Sequence, residues 1–425
     1  MPASSAETVR AAVAAAYRDE WAFVLAATAR TTRDLDLAEE CAAEAFSIAL
    51  TTWVRDGVPR SPGAWLTTTA RRRAIDQLRR ERTLRGKLPL LVDPETGTSL
   101  DAQGPDGTDQ GDWEEDPVIP DDRLRLVFTC CHPALAREAQ IALTLRLVCG
   151  LSTPEIARAF LVSEPTMAAR VTRAKKKIAA ARIPYRVPES AELPDRLDAV
   201  LTVVHLLFTT GHTAPAGGQL VRDELVERAL SLGRMLAFLM PDEREVTGLL
   251  ALMLITHARR GSRLHDGQLV LLEDQDRSLW DHDLVEQGHE LVVQAVRGRH
   301  PGRFALQAAI AALHGQAPSW EETDWRQILG LYNLLVLVWP SPVVALNRAV
   351  AVSMVHGPEA ALADLRSIED GGRLASYHYL PAAKADFLRR LGRVDEARTA
   401  YAEALALVGN EPERAFLAGR LAALD

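Results

Sequence analysis

The chain has 425 residues, 25% of them charged and 48% hydrophobic, a globular composition with length enough for two to four domains. Only 5% are aromatic, while alanine and leucine dominate, which favours helices. A net charge of −8, taken alone, argues against a general nucleic-acid binder.

The average hides an asymmetry. Residues 1–87 carry 14 basic against 11 acidic side chains, 88–122 carry 11 acidic and none basic, 123–186 carry 12 basic against 3 acidic, and 187–425 carry 23 against 32. Two basic modules therefore flank an acidic tether, and an acidic tail follows. Residues 1–16 lack a basic start before an apolar run, and no uncharged apolar stretch reaches membrane-spanning length, so a cytoplasmic protein with no membrane partner is expected. Of the four cysteines, Cys130 and Cys131 precede His132. No second ligand pair stands at finger spacing, so buried thiols are expected rather than zinc.

In chain order, residues 6–55 read as helix with a break near Thr31–Asp34. Within Leu37–Leu50, Glu39, Glu40 and Glu44 stand beside Phe46, the pattern either of an amphipathic surface helix or of a docking face for a large basic partner. Thr51–Gly63 reads as a loop containing Arg55 and Arg60. A helix then spans about Ala64 to Arg82, with Leu66, Ala70, Ala74 and Leu78 facing inward. Arg72, Asp76 and Arg79 form its outward stripe, Arg71, Arg73 and Arg80 add charge, and Trp65 stands at its entrance. Cations with an aromatic at a helix entrance suit backbone contact plus base stacking. Residues 88–122, acidic and rich in Gly and Pro, cannot bury a core and are expected to form a flexible linker.

Residues 123–150 return to helix and lead into Leu151–Ile178, which reads as a helix-turn-helix. Ser152 with Glu155 makes a capping box, Leu161-Val162 a short turn, and Ser163 caps the second helix. Met167, Val171, Ala174 and Ile178 share the packing face. Thr166, Arg170, Arg173 and Lys177 share another, with Lys175 and Lys176 beside it. A short capped helix before a helix with one packed and one cationic face suits the major groove of DNA.

After Pro184 and Pro188 the chain reads as helix to its end. Segment 378–411 fits the tetratricopeptide pattern through Ala385, Leu391-Gly392, Ala397, Tyr401 and Ala404, and 342–369 repeats it loosely. Asp274, Asp276, Asp281 and Asp283 are hard ligands, but without the loop glycine of an EF-hand they read better as capping carboxylates at a helix junction. There is no Gly-rich phosphate loop and no GxSxG. His205, His212, His257 and His265 stand without a nucleophile at motif spacing, so neither an enzyme nor a cofactor is expected.

The order of these parts resembles a bacterial extracytoplasmic-function (ECF) sigma factor. LAEECAAEAF is similar to that family's motif for binding the polymerase clamp helices, PGAWLTTTARRRAIDQLRRER to its minus-ten region, and SEPTMAARVTRAKKKI to its minus-thirty-five recognition helix. IPDDRLRLVFTCCHPAL, GLLALMLITHARR, LVLLEDQDRSLWD, APSWEETDW and SPVVALNRAVAVSMV resemble the subgroup with a tetratricopeptide-like C-terminal extension. The resemblance implies an all-α protein: sigma region 2 at 1–87, an acidic linker at 88–122, sigma region 4 at 123–186, and a helical regulatory domain at 187–425. It implies core RNA polymerase and promoter DNA as partners, with a small DGPF/YCII-like protein as a further one. Glu39, Glu40, Glu44 and Phe46 would then face polymerase. Arg55, Arg60, Trp65, Arg71, Arg72, Arg73, Asp76, Arg79 and Arg80 would handle the minus-ten strand. Thr166, Arg170, Arg173, Lys175, Lys176 and Lys177 would grip the minus-thirty-five duplex. The rival readings are a stand-alone helix-turn-helix regulator and an enzyme in the C-terminal domain.

Overall fold

The computed structural model describes residues 6–87, 122–160, 162–189, 191–214, 220–298 and 300–424; the acidic linker expected over 88–122 lies, but for Asp122, outside them. Among the described residues the fold is all-α, with a single hairpin of two-residue strands. The chain forms two compact units, Met1–Val200 and Leu201–Asp425.

In the first unit the alanine-rich helix α1 (Ala6–Thr32) packs against α2 (Leu35–Asp56) and α3 (Pro62–Lys87). Asp34 ends the break after α1 by capping α2, accepting from the amides of Asp36 at 2.7 Å and Leu37 at 3.0 Å. The expected loop over Thr51–Gly63 is shorter than the composition indicated. Trp53 is buried, and burying it holds α2 helical through Asp56, so only residues 57–61 connect to α3. The apolar stripe of α3 faces inward as its spacing required, with Leu66, Ala70 and Ala74 fully buried.

Helix α4 (Asp122–Cys130) lies against α1, and the chain continues through α5 (Arg137–Leu143) into a π turn over Thr144–Val148. The helix-turn-helix follows as α6 (Thr153–Ala159) and α7 (Glu164–Ala180). Gly150 closes the π turn at φ 70°, and a Cβ there would sit 3.0 Å from the Trp21 ring, so both the backbone conformation and the close approach require glycine. Cys130 and Cys131 are buried, the latter with its Sγ 3.4 Å from the Thr144 hydroxyl.

Helix α8 (Leu193–His212) leads into the second unit. There α10 (Arg244–Ala258) packs against α9 (Asp223–Leu239), α11 (His282–Ala295) and α12 (Arg303–Gln316). Gly248 lets α10 and α12 approach closely, since a Cβ would stand 2.6 Å from the Ala305 amide. Glu245 then caps α12 from across the contact, accepting from Phe304 at 2.9 Å and Ala305 at 3.1 Å. Strands β1 (Leu264–His265) and β2 (Gln268–Leu269) form the small hairpin. In the acidic segment after it, Asp276 accepts from Ser278 and Asp281 caps α11 through Leu284.

The last six helices are α13 (Trp325–Val338), α14 (Pro342–His356), α15 (Pro358–Asp370), α16 (Tyr379–Arg390), α17 (Val394–Leu407) and α18 (Glu411–Ala422), stacked as hairpins. Their common core holds the small residues that the repeat pattern singled out, Ala385, Ala397 and Ala404, together with Ala349 and Ala361 of the looser repeat, all fully buried, with Tyr401 and Leu365 beside them. Small side chains at these crossings let paired helices approach, and the surrounding leucines fill the volume between pairs.

Candidate nucleic-acid interface

Helix α7 is built as its sequence dictates. In the capping box before α6, Glu155 accepts from the Ser152 amide at 2.6 Å, and the Glu155 amide donates to the Ser152 hydroxyl at 3.4 Å. Ser163 caps α7 by accepting from the Thr166 amide at 3.3 Å. Met167, Val171, Ala174 and Ile178 are buried. That orientation leaves Thr166, Arg173, Lys176 and Lys177 exposed and Arg170 half-buried on the opposite side. A capped helix with an exposed hydroxyl at its start and a cationic flank after it is equipped to receive phosphates and base edges.

Lys175 is placed otherwise. Only 9% of its side chain is exposed, and its Nζ lies 2.6 Å from Glu39 Oε2 and 2.7 Å from Asp36 Oδ1 on α2. Arg146, on the π turn, pairs with the other oxygen of Glu39. Burial works against the charge of Lys175, but Glu39 and Asp36 outweigh it and hold its pKa above the ordinary lysine value. Of the residues expected on the polymerase face, Glu39 is therefore buried in an ion-paired triad. Phe46 is buried too, 5.1 Å from the Tyr17 ring and 5.9 Å from that of Trp21. Glu40 is exposed, and half-exposed Glu44 stands 3.4 Å from Arg73.

The same seam carries bonds that sequence spacing did not disclose. Trp21 Nε1 donates to the Leu147 carbonyl at 3.1 Å, and the Tyr17 hydroxyl to that of Gly150 at 3.1 Å. The helical run ends here, so the Leu147 and Gly150 carbonyls have no further helical amide to receive and are met by side chains instead. Tyr185, beyond α7, donates to the Ala26 carbonyl at 2.9 Å, and Arg30 stands 3.5 Å from Asp122. Tyr17 and Trp21, one turn apart on α1, were the signal available in the sequence; their partners lie more than a hundred positions away.

On α3 the cationic face is open. Arg72, Asp76, Arg79 and Arg80 are exposed, Arg71 and Arg73 half-buried. Arg71 Nε lies 3.4 Å from the Ala27 carbonyl. Trp65 is half-buried at the helix entrance, its ring edge-on to buried Trp53 with centroids 5.6 Å apart. Arg60 is exposed, and Arg55 is held by Asp56 at 2.7 Å. Both helices thus present cations on one side while anchoring an apolar stripe on the other. Among the described residues no three His, Cys, Asp or Glu side chains gather as a metal site, and no helix is long and apolar enough to cross a membrane.

Residues 16–83 match sigma-70 region 2, residues 125–178 match sigma-70 region 4, and residues 196–296 match a family of unknown function, DUF6596. An uncharacterized protein of Rhizobium meliloti (strain 1021) is 44% identical over 394 residues, spanning 92% of this chain and 91% of its own. Among solved structures, a thermophilic TPR protein of Thermus thermophilus covers 53% of this chain and 96% of its own at 21% identity and a TM-score of 0.34, a likeness too slight to build on. The open cationic faces of the first unit, Arg72 to Arg80 and Thr166 to Lys177, fall inside the two sigma matches. The chain belongs to one family with the Rhizobium meliloti protein, and its regions 2 and 4 make it a sigma-70 family RNA polymerase sigma factor, acting in promoter recognition and transcription initiation.

Proposed function

We propose that this chain is an ECF-type sigma factor whose α3 handles the minus-ten strand and whose α7 reads the minus-thirty-five duplex, with the helical domain after region 4 modulating its activity. The observation that carries this reading is the pair of open cationic faces, Arg72 to Arg80 on α3 and Thr166 to Lys177 on α7, each backed by a buried apolar stripe. Trp65 supplies a stacking edge and Arg60 an unobstructed cation at the start of the first. Arg170 and Arg173 are the guanidinium groups suited to a guanine edge, and Lys176 and Lys177 to phosphates.

Polymerase docks on α2 through Glu40 and Glu44, which are accessible as the structure stands. Glu39 and Lys175 join the working surfaces only when α7 leaves α2, so regions 2 and 4 separate on engaging polymerase; Phe46, packed on Tyr17 and Trp21 of α1, supports the docking face from beneath. A small DGPF/YCII-like partner belongs to this reading through the sequence resemblance alone. The test is a gel shift on a promoter mapped by transcription. Full-length protein with core polymerase is expected to retain the fragment where protein alone does not. Equal retention by the protein alone would instead identify a stand-alone helix-turn-helix regulator.

A further inference from the structure

The second unit contains a cleft of about 1070 Å³ that no part of the sigma reading uses. Its walls come from α8, α10, the β hairpin and the inner faces of α14, α16, α17 and α18. Phe208, Leu252, Leu271, Trp320 and Met354 supply much of the apolar surface. Such a volume, mostly apolar with a few converging polar groups, is that of a small-molecule site.

The charges in the cleft do not balance locally. Its carboxylates are Glu273, Asp386 and Glu413, and its guanidinium groups are those of Arg259, Arg263, Arg390 and Arg420. Arg420 stands 3.7 Å from Glu273, and Arg390 stands 3.9 Å from Asp386. Glu413 is committed to His378 at 3.2 Å and to Tyr379 and Asn410. Among the described residues no carboxylate comes within ion-pair distance of Arg259 or Arg263.

Arg263 donates only to neutral acceptors, His212 Nδ1 at 2.5 Å, the His212 carbonyl, and Thr213 Oγ1 at 3.0 Å. Arg259 has its Nε buried without a hydrogen-bond partner, and its guanidinium lies 5.8 Å from the centre of the Trp280 ring. Burial, followed by the nearby cations Arg263 and Arg277, pushes Arg259 down to about 10. Burial pushes Arg263 to about 10 as well, although Tyr379 and Glu413 act in the other direction. The C-terminus of α10 offers roughly half a negative charge beside two full positive ones. Two arginines four residues apart are therefore left in a largely apolar cleft without a counter-ion.

We infer that this cleft binds a small organic anion, a carboxylate or phosphate head held by Arg259 and Arg263 on an aliphatic or aromatic body that lies along the apolar wall. Arg259 is the anchor because its donors are uncommitted. Arg263 is already oriented by His212 and Thr213, so it adds charge without having to reorganise.

The experiment is calorimetric titration of the full-length protein with four probes that share one tail: octyl phosphate, octanoate, octanol and octylammonium. At least one anion is expected to bind saturably and tenfold or more tighter than octanol or octylammonium; which anion leads distinguishes a phosphate from a carboxylate ligand. Arg259→Gln is expected to remove that advantage and Arg259→Lys to keep part of it, while Arg366→Gln, at an exposed position of α15 outside the cleft, leaves binding within twofold. Equal affinity for octanol and the anions, or no saturable binding of any anion at millimolar concentration, overturns the inference. So does wild-type anion binding by Arg259→Gln. Should Arg259→Gln fail to fold, the ranking of the four probes on the wild-type protein still decides.

Discussion

The seam between region 2 and region 4 and the hairpin stack α13–α18 are held by different forces. Across the first, the side-chain bonds are polar: Lys175 and Arg146 to Glu39, Trp21 and Tyr17 to backbone carbonyls, Tyr185 to Ala26. The second closes on alanines and leucines with valines, isoleucines, Phe387 and Tyr401, all buried. Water can replace a carboxylate, an ammonium or a carbonyl as a partner, so these polar bonds exchange at modest net cost, while α4 adds buried Leu124, Val127 and Phe128 beside α1. Apolar surface has no such substitute, and a stack closed on it stays closed. The contrast separates contacts that water can exchange from a helical stack that keeps its form.

The largest expected effect breaks the apolar side of this contrast. Leu388→Ala removes a side chain only 2% exposed from the stack and is expected to cost about 2–5 kcal/mol. Thermal unfolding of the full-length chain should lose its second-unit transition at lower temperature, with the first-unit transition unmoved.

Acid sharpens the contrast from another direction. Burial, aided by Arg303, holds His205 down at about 4; burial, aided by Arg259 and Arg277, holds His314 down at about 4. Burial and Arg263 hold His212 lower still. All three stay neutral in the folded second unit, whereas the unfolded chain takes up protons below about 6.5. Stability is therefore present in full above that pH and falls as pH drops below it. Allowing for partial exposure, the loss is roughly 3 kcal/mol between pH 7.5 and pH 5.5. Denaturant unfolding at the two pH values measures it.

A third expectation concerns the polar seam itself. Lys175→Met keeps the aliphatic stem but leaves Glu39 with Arg146 alone, a change of about 2 kcal/mol in seam stability. Hydrogen exchange should quicken over Thr144–Gly150 and leave α16 and α17 unaltered. The smallest effect is expected at the DNA face: Arg173→Ala should weaken promoter complexes by roughly 1–2 kcal/mol while core-polymerase binding stays at the wild-type level.

Much of the fold was legible because it is locally encoded. The stripe Met167, Val171, Ala174 and Ile178, the capping box at Ser152 and Glu155, and the buried alanines of the hairpins each follow from spacing within one element. The seam was not legible, since Lys175 and Glu39 stand 136 residues apart and each alone reads as a solvated surface charge. Phe46 read as part of an exposed docking face because its burying partners, Tyr17 and Trp21, lie on another helix. The pair of arginines in the cleft was hidden for the same reason: Arg259 and Arg263 are ordinary basic residues until their surroundings are known to lack a carboxylate.

The most direct test of the central claim is run-off transcription with core RNA polymerase and genomic fragments, with start sites mapped. The account predicts that the full-length protein directs initiation from a small set of promoters and that the charge reversals Arg79→Glu and Lys176→Glu each abolish it. Core polymerase that initiates equally with and without the protein, or a protein that retains full activity with both reversals, would contradict it.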